Sequence, residues 1–190
     1  MISLKKRMDK IIGRLTSDEL LSITGLGNEI GFYIFDYPPE YEMEMRDHIR
    51  FILRQLPKKK PGLKFKHINL FDLIISYLKK RQLLDRVLKI QKQKGDREVM
   101  KALKGPLGAD KIAKIFVDEA KPQSHDLVLV SGVGSAYPLL RSHNLLNNLH
   151  PLMQDTPLVM FFPGVYTGQG LILFGKLKEK NYYRAFQLIV

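Results

Sequence analysis

Hydrophobic positions along this chain follow two rhythms in alternation. Between residues 2 and 22, Leu4, Met8, Ile11, Ile12 and Leu15 fall at three- and four-residue steps with Lys and Arg between them, the spacing of an amphipathic helix. Thr16-Ser17-Asp18 predicts its end and the cap of a short second helix over 20–23. Residues 29–37 (EIGFYIFDY) are β-branched and aromatic and read as a buried strand. Pro38-Pro39 suits a helix start, and Met43, Ile49, Ile52, Leu53 and Leu56 place a helix over 40–56. Lys58-Lys59-Lys60-Pro61-Gly62 reads as a turn. Residues 63–70 (LKFKHINL) alternate apolar and polar, which predicts a strand with one solvated face.

Helical spacing then dominates. Leu73, Ile74, Tyr77 and Leu78 line one side of a helix over 71–84. Residues 85–93 extend it or begin another, with Gly95 as a stop, and further helices are predicted over 96–103 and 110–120. Apolar runs return at 126–131 (DLVLVS) and 157–162 (PLVMFF), the pattern of strands buried on both faces. Between them a Gly132-Val133-Gly134 turn leads into a helix over 138–149. Residues 170–174 and 185–190 complete the strands. Strands alternating with helices predict an α/β fold, a mixed, mostly parallel sheet with helices on both faces. The tail after Pro163 reads as an antiparallel C-terminal edge. We read residues 1–190 as a single α/β domain in which 71–124 is a basic helical insertion.

Composition narrows the function classes. With 190 residues, 45% hydrophobic and 26% charged, the chain can build a core without staples. It has no cysteine, which excludes thiol nucleophiles, zinc knuckles and CxxC redox chemistry. No apolar run approaches the ~20 residues of a bilayer span. Basic residues at the N-terminus precede no apolar h-region, so no signal peptide is expected and the cytoplasm is the expected compartment.

The net charge of +12 is unevenly distributed. Residues 58–104 hold 15 basic and 4 acidic side chains, while 1–57 hold 8 and 9, and 105–190 hold 8 and 6. The basic stretch is a candidate phosphate-binding face for DNA or RNA through Lys58, Lys59, Lys60, Lys64, Lys66, Lys79, Lys80 and Arg81. Its aromatic interleaving is sparse, which argues against base stacking on single strands. A solvated helical face, or a surface for an acidic protein partner, are the alternative readings.

Catalytic signatures are missing. Gly132 and Gly134 follow a buried strand, as in phosphate-cradling turns, but Tyr137 stands where a dinucleotide fingerprint needs glycine, and no GxxxxGK sequence occurs. A tight strand-to-helix turn is the plainer reading. Gly164 and Gly168 sit in a second glycine loop without an acid, base or nucleophile pair, which reads as a wide hairpin. Arg141 is the only Lys or Arg between Lys121 and Lys176; it can bind an anion or serve as an ion-pair partner. The five histidines have neither HExxH nor HxH spacing. No cofactor or metal is expected.

Five segments carry a family resemblance: IFDYPPEYEMEMR (34–46), HINLFDLI (67–74), SGVGSAYPLLRSHNLLNNL (131–149), MFFPGVYTGQGLILFG (160–175) and NYYRAF (181–186). Their order and wording resemble the BrxB family, the small B component of bacteriophage exclusion (BREX) defence systems. The likeness runs from about Leu15 to the C-terminus. It implies a multi-gene antiviral context with a large ATPase, a DNA methyltransferase and an alkaline-phosphatase-like protein, PglZ. It also implies a non-catalytic part that holds a complex together, with other BREX components, PglZ foremost, as partners. No catalytic residue is carried over. Aromatic and Arg side chains are common interface anchors, so Tyr137, Arg141, Tyr182, Tyr183 and Arg184 are the candidate interface residues.

Overall fold

The computed structural model describes residues 3–22, 31–178 and 185–190. Helix α1, Leu4–Leu15, begins where the Ser3 hydroxyl accepts from the Lys6 amide, and α2, Asp18–Leu21, where Ser17 accepts from the Leu20 amide. Each side chain satisfies a donor that the first helical turn leaves unpaired. Strand β1 is Phe32–Tyr37; the predicted positions 23 and 29–30 lie outside the described residues. A 3-10 turn at Pro39–Tyr41 opens α3, Glu42–Lys59. Strand β2, Phe65–Asn69, is followed by four helices: α4 Leu70–Lys80, α5 Leu84–Lys94, α6 Asp96–Leu103 and α7 Ala109–Ala120. Then come β3 Leu127–Ser131, α8 Val133–Ala136, α9 Ser142–Met153, β4 Leu158–Tyr166, β5 Leu171–Leu173, β6 Leu177–Lys178 and β7 Phe186–Gln187.

The strands lie in the order β2-β3-β4-β1-β7, every pair along that path parallel. Beyond Pro163, β4 runs on and pairs antiparallel with β5, which pairs antiparallel with β6. The sheet is mixed and mostly parallel, with helices on both faces. Phe32, Ile34, Val128, Val130, Met160 and Phe162 face one core with Ile74, Leu78, Phe116, Leu145 and Leu149 from α4, α7 and α9. Tyr33, Phe35, Leu127, Leu129 and Phe161 face the other, with Ile11, Leu15, Met45, Ile52 and Leu56 from α1 and α3. That two-sided burial is why β1, β3 and β4 are apolar throughout rather than alternating.

Four boundaries differ from the sequence reading. Helix α3 continues through Pro57 to Lys59, because a proline one turn from a helix end removes only one backbone bond. The predicted helix over 138–149 starts at Ser142 instead, since the chain first turns through residues 137–140. Strand β4 is not stopped by Pro163, and the C-terminal β7 adds to β1 in parallel. Strand β6, two residues long, carries no pattern to read.

One carboxylate ties the sheet's far end together. Asp36, near the end of β1, accepts from the Arg7 guanidinium of α1 at 2.6 Å, from the Tyr166 backbone amide of β4 at 3.1 Å and from the Gln187 side chain of β7 at 3.4 Å. Arg7 lies over the Phe35 ring, 4.8 Å from its centroid. The Arg7 and Asp36 side chains are 16% and 12% exposed, so removing one charge strands the other in a poorly solvated place. Asp36→Ala is expected to lower the unfolding free energy by about 2–4 kcal/mol, measured by urea denaturation, with Arg7→Met milder because its apolar stem keeps the packing on Phe35.

Candidate functional site

In open parallel α/β sheets, ligands bind beyond the carboxyl ends of the strands. Here that rim is closed by the chain's own side chains. Gly132 opens the turn after β3 with φ +72°, and a Cβ there would lie 2.1 Å from Asn69 Oδ1. The Asn69 side chain is fixed in place because it accepts from the Phe71 and Asp72 amides and caps α4. Gly134 lies under the Phe174 ring and Pro163, where a Cβ would come within 3.0 and 3.1 Å. Gly164 lets the β5 backbone approach, Ile172 O being 2.2 Å from a Cβ position. Gly168, φ +82°, turns in open space. The glycine pair that resembled a phosphate cradle is thus a packing solution, and α8, four residues long, offers no extended helix terminus.

The polar groups along the same rim are mutually engaged. The Tyr37 hydroxyl donates to Glu42 Oε2 at 2.6 Å, and Arg46 donates to Glu42 Oε1 at 2.8 Å and to Ser135 Oγ at 3.0 Å. Burial, reinforced by the Glu42 charge, pushes the Tyr37 phenol well above its ordinary range. His67 Nε2 lies 2.8 Å from Ser131 Oγ, and burial pushes its imidazole below the ordinary value, partly offset by Asp72. Among the described residues no group of three His, Asp or Glu is placed to hold a metal ion. No helix among them is long and apolar enough to cross a membrane.

The basic candidates do not share one surface. Lys60 Nζ donates to Thr16 O and to Asp18 Oδ1 at 2.8 Å, holding the Asp18 carboxyl below its usual range. Lys66 pairs with Glu119 of α7 at 2.6 Å. Lys58 and Lys59 end α3 on one side of the sheet, whereas Lys79, Lys80 and Arg81 end α4 on the other. Lys58, Lys59, Lys64, Lys79, Lys80 and Arg81 are exposed.

Two of the candidate interface residues fall beside a concave surface. A cavity of about 530 Å³ opens between α6 and the segment joining α8 to α9. Met100, Leu103, Leu107, Leu139 and Leu140 form its apolar lining, and Arg97, Lys101, Lys104 and Arg141 stand among them. Lys101 is paired with Glu98 at 2.7 Å; the other three have no ion pair among the described residues. Tyr137 is half-buried behind this wall, its ring edge-on to Phe174 with centroids 6.2 Å apart. Tyr182, Tyr183 and Arg184 lie outside the described residues. Sequence reasoning named Arg141 but missed Met100, Leu139 and Lys104. Met100 had only the 3.6-residue stripe of α6 as a signal, whose hydrophobic side reads as ordinary core, while Lys104 just past α6 and Leu139 in the α8–α9 connection had no periodic signal.

A family model described as "BREX protein BrxB" matches residues 66–188. A "BREX protein BrxB" of Bacillus cereus (strain H3081.97) is 40% identical over 193 residues, covering 100% of this chain and 99% of that protein. A protein of the same description from Escherichia coli O9:H4 (strain HS) is 40% identical over 186 residues, covering 98% of this chain and 92% of the relative. No solved structure matches significantly.

The packing reading of the glycine turn makes a stability prediction. Gly132→Ala is expected to cost about 2 kcal/mol, about half from left-handed backbone strain and half from the displaced Asn69 cap, measured by urea denaturation. The buried imidazole makes a pH prediction. An unfolded His67 takes up a proton as pH falls through about 6.5, while the folded ring resists until lower pH. The unfolded state then binds more protons, so stability falls as pH drops from about 7 towards 5. His67→Gln is expected to flatten that fall; His48, also depressed by burial, is common to both proteins and cancels in the difference between urea midpoints.

Proposed function

The chain belongs to the BrxB family of BREX proteins, and from that membership we propose that it acts as a non-catalytic interaction subunit of a BREX antiviral complex in the cytoplasm, docking the PglZ-like component. The observation that carries this reading is the closed strand rim. Where an α/β fold would present catalytic groups, Asp36, Glu42 and Arg46 are consumed in structural pairs. Asn69, Pro163 and Phe174 fill the space around the glycine turn. The described surface with binding character is instead an apolar hollow among cations beside Tyr137 and Arg141, the kind of feature that makes interface anchors.

A second reading is favoured by the exposed cations. Lys58, Lys59, Lys64, Lys79, Lys80 and Arg81 are solvent-facing and free to meet phosphates, so contact with DNA or RNA is the alternative role, compatible with docking. Its affinity would fall steeply with salt and tolerate any sequence.

The two are separated by a tagged pull-down from the native operon, nuclease-treated and washed at moderately high salt. Stoichiometric retention of the PglZ-like protein is expected; loss of every BREX component overturns the docking reading. For nucleic acid, duplex binding that persists unchanged after Lys58→Glu with Lys59→Glu and Lys79→Glu with Lys80→Glu overturns the assignment to those lysines.

A further inference from the structure

The hollow between α6 and residues 138–141 has a specific chemistry. Its floor is made of Met100, Leu103, Leu107, Leu139 and Leu140. Around it stand Arg97, Lys101, Lys104 and Arg141, and no Asp or Glu lines it. Leu103, Leu107 and Leu140 are also part of the main core, so the floor is held by packing rather than free to collapse. Only Lys101 has an acidic partner, Glu98, within the described residues.

Three kinds of occupant can be weighed against this. A nucleic acid strand would bring phosphates to the cations but nothing apolar for the leucines, and no aromatic ring lines the hollow to stack a base. A second copy of this chain, net charge +12, would bring like charge to like charge. An acidic segment with apolar side chains on one face satisfies both halves of the surface: carboxylates meet the guanidinium and ammonium groups while the apolar side chains cover the floor. Helices and strands laid in apolar grooves with charged rims are recurrent recognition modes.

We infer that this groove is a docking site for an acidic amphipathic segment of a partner protein, held by apolar anchors over Met100, Leu139 and Leu140 and by carboxylates on Arg97, Lys104 and Arg141. The inference deepens the docking reading of the chain and rests on it for the partner's biological identity, though not for the chemistry of the site. Methionine suits such a floor because its flexible thioether adapts to different apolar side chains. Arg141 suits the rim because its planar guanidinium can hold a carboxylate through two parallel bonds.

The test pans a random peptide display library on the purified full-length protein and on the triple variant Arg97→Glu, Lys104→Glu, Arg141→Glu. All three residues are exposed, and an unchanged thermal transition checks that the variant is folded. The expected result is enrichment of peptides that combine carboxylates with spaced apolar residues, losing about tenfold or more in affinity for the variant. Restoration by peptides with Lys in place of Asp and Glu would support it further. Enrichment of neutral or basic peptides, no enrichment, or equal affinity for both proteins overturns the inference. So does a short duplex DNA that competes with the peptides and loses its own binding in the variant, which would assign the groove to nucleic acid. The native-operon pull-down reports separately. Retention of the PglZ-like protein by wild type and triple variant alike leaves the docking reading standing on another face. Acidic peptides bound in the groove with no BREX component retained would remove the docking reading instead.

Discussion

The fold depends on a carboxylate placed where a parallel sheet is hardest to close. Parallel strands cannot be joined by hairpins, so each chain segment must travel and return, and the ends of the strands are left to be gathered by other means. Asp36 gathers them. Its two oxygens reach α1 through Arg7, β4 through the Tyr166 amide and β7 through Gln187, partners that lie up to 151 positions from it in the sequence. Tyr166 extends the same junction, its hydroxyl donating to Ala185 O just before β7. The group that in another α/β protein would be available for acid-base work is therefore fully occupied by structure.

That economy leaves the strand ends filled by structural contacts. With Asn69 seated against Gly132 and the Phe174 ring over Gly134, the rim is solid. The concave surface arises instead on the long excursion between β2 and β3. There α4 and α7 contribute buried residues to the sheet's core, α5 buries none, and α6 buries Leu103 alone. The outer part of this excursion supplies one wall of the hollow and the α8–α9 connection supplies the other.

How much was legible in the sequence follows from which interactions are local. The strands β1, β3 and β4 were readable because burial on both faces leaves continuous apolar runs, and α1, α6 and α7 because their stripes repeat within a few residues. Gly95 was readable as a stop because its left-handed backbone, φ +78°, is written in a single residue. The direction of β7 and the existence of β6 were not, since two-residue strands take their place from partners such as Ile34 and Ile172 that are remote in sequence. The start of α9 was misread because Pro138 at a helix entrance and Pro138 in a turn look alike locally. The charge count of residues 58–104 was correct but spoke of one face. Ion pairing at Lys60 and Lys66, and the separation of α3 from α4 by the sheet, divide it. Arg141 stood out by isolation in sequence, whereas the leucines beside it acquire meaning only when α6 is folded opposite them.

The contact of Gly134 with Pro163 and Phe174 carries a consequence for how such a chain can change over generations. The three positions come from α8, the middle of β4 and the turn after β5, yet they fill one volume. A larger residue at 134 is tolerable only if 174 becomes smaller or 163 gives way, and Tyr137 leans on the same ring. Substitutions in these segments are therefore coupled. The wall that borders the hollow inherits the constraint of the packing behind it, so the hollow's far side on α6 is the freer one to drift.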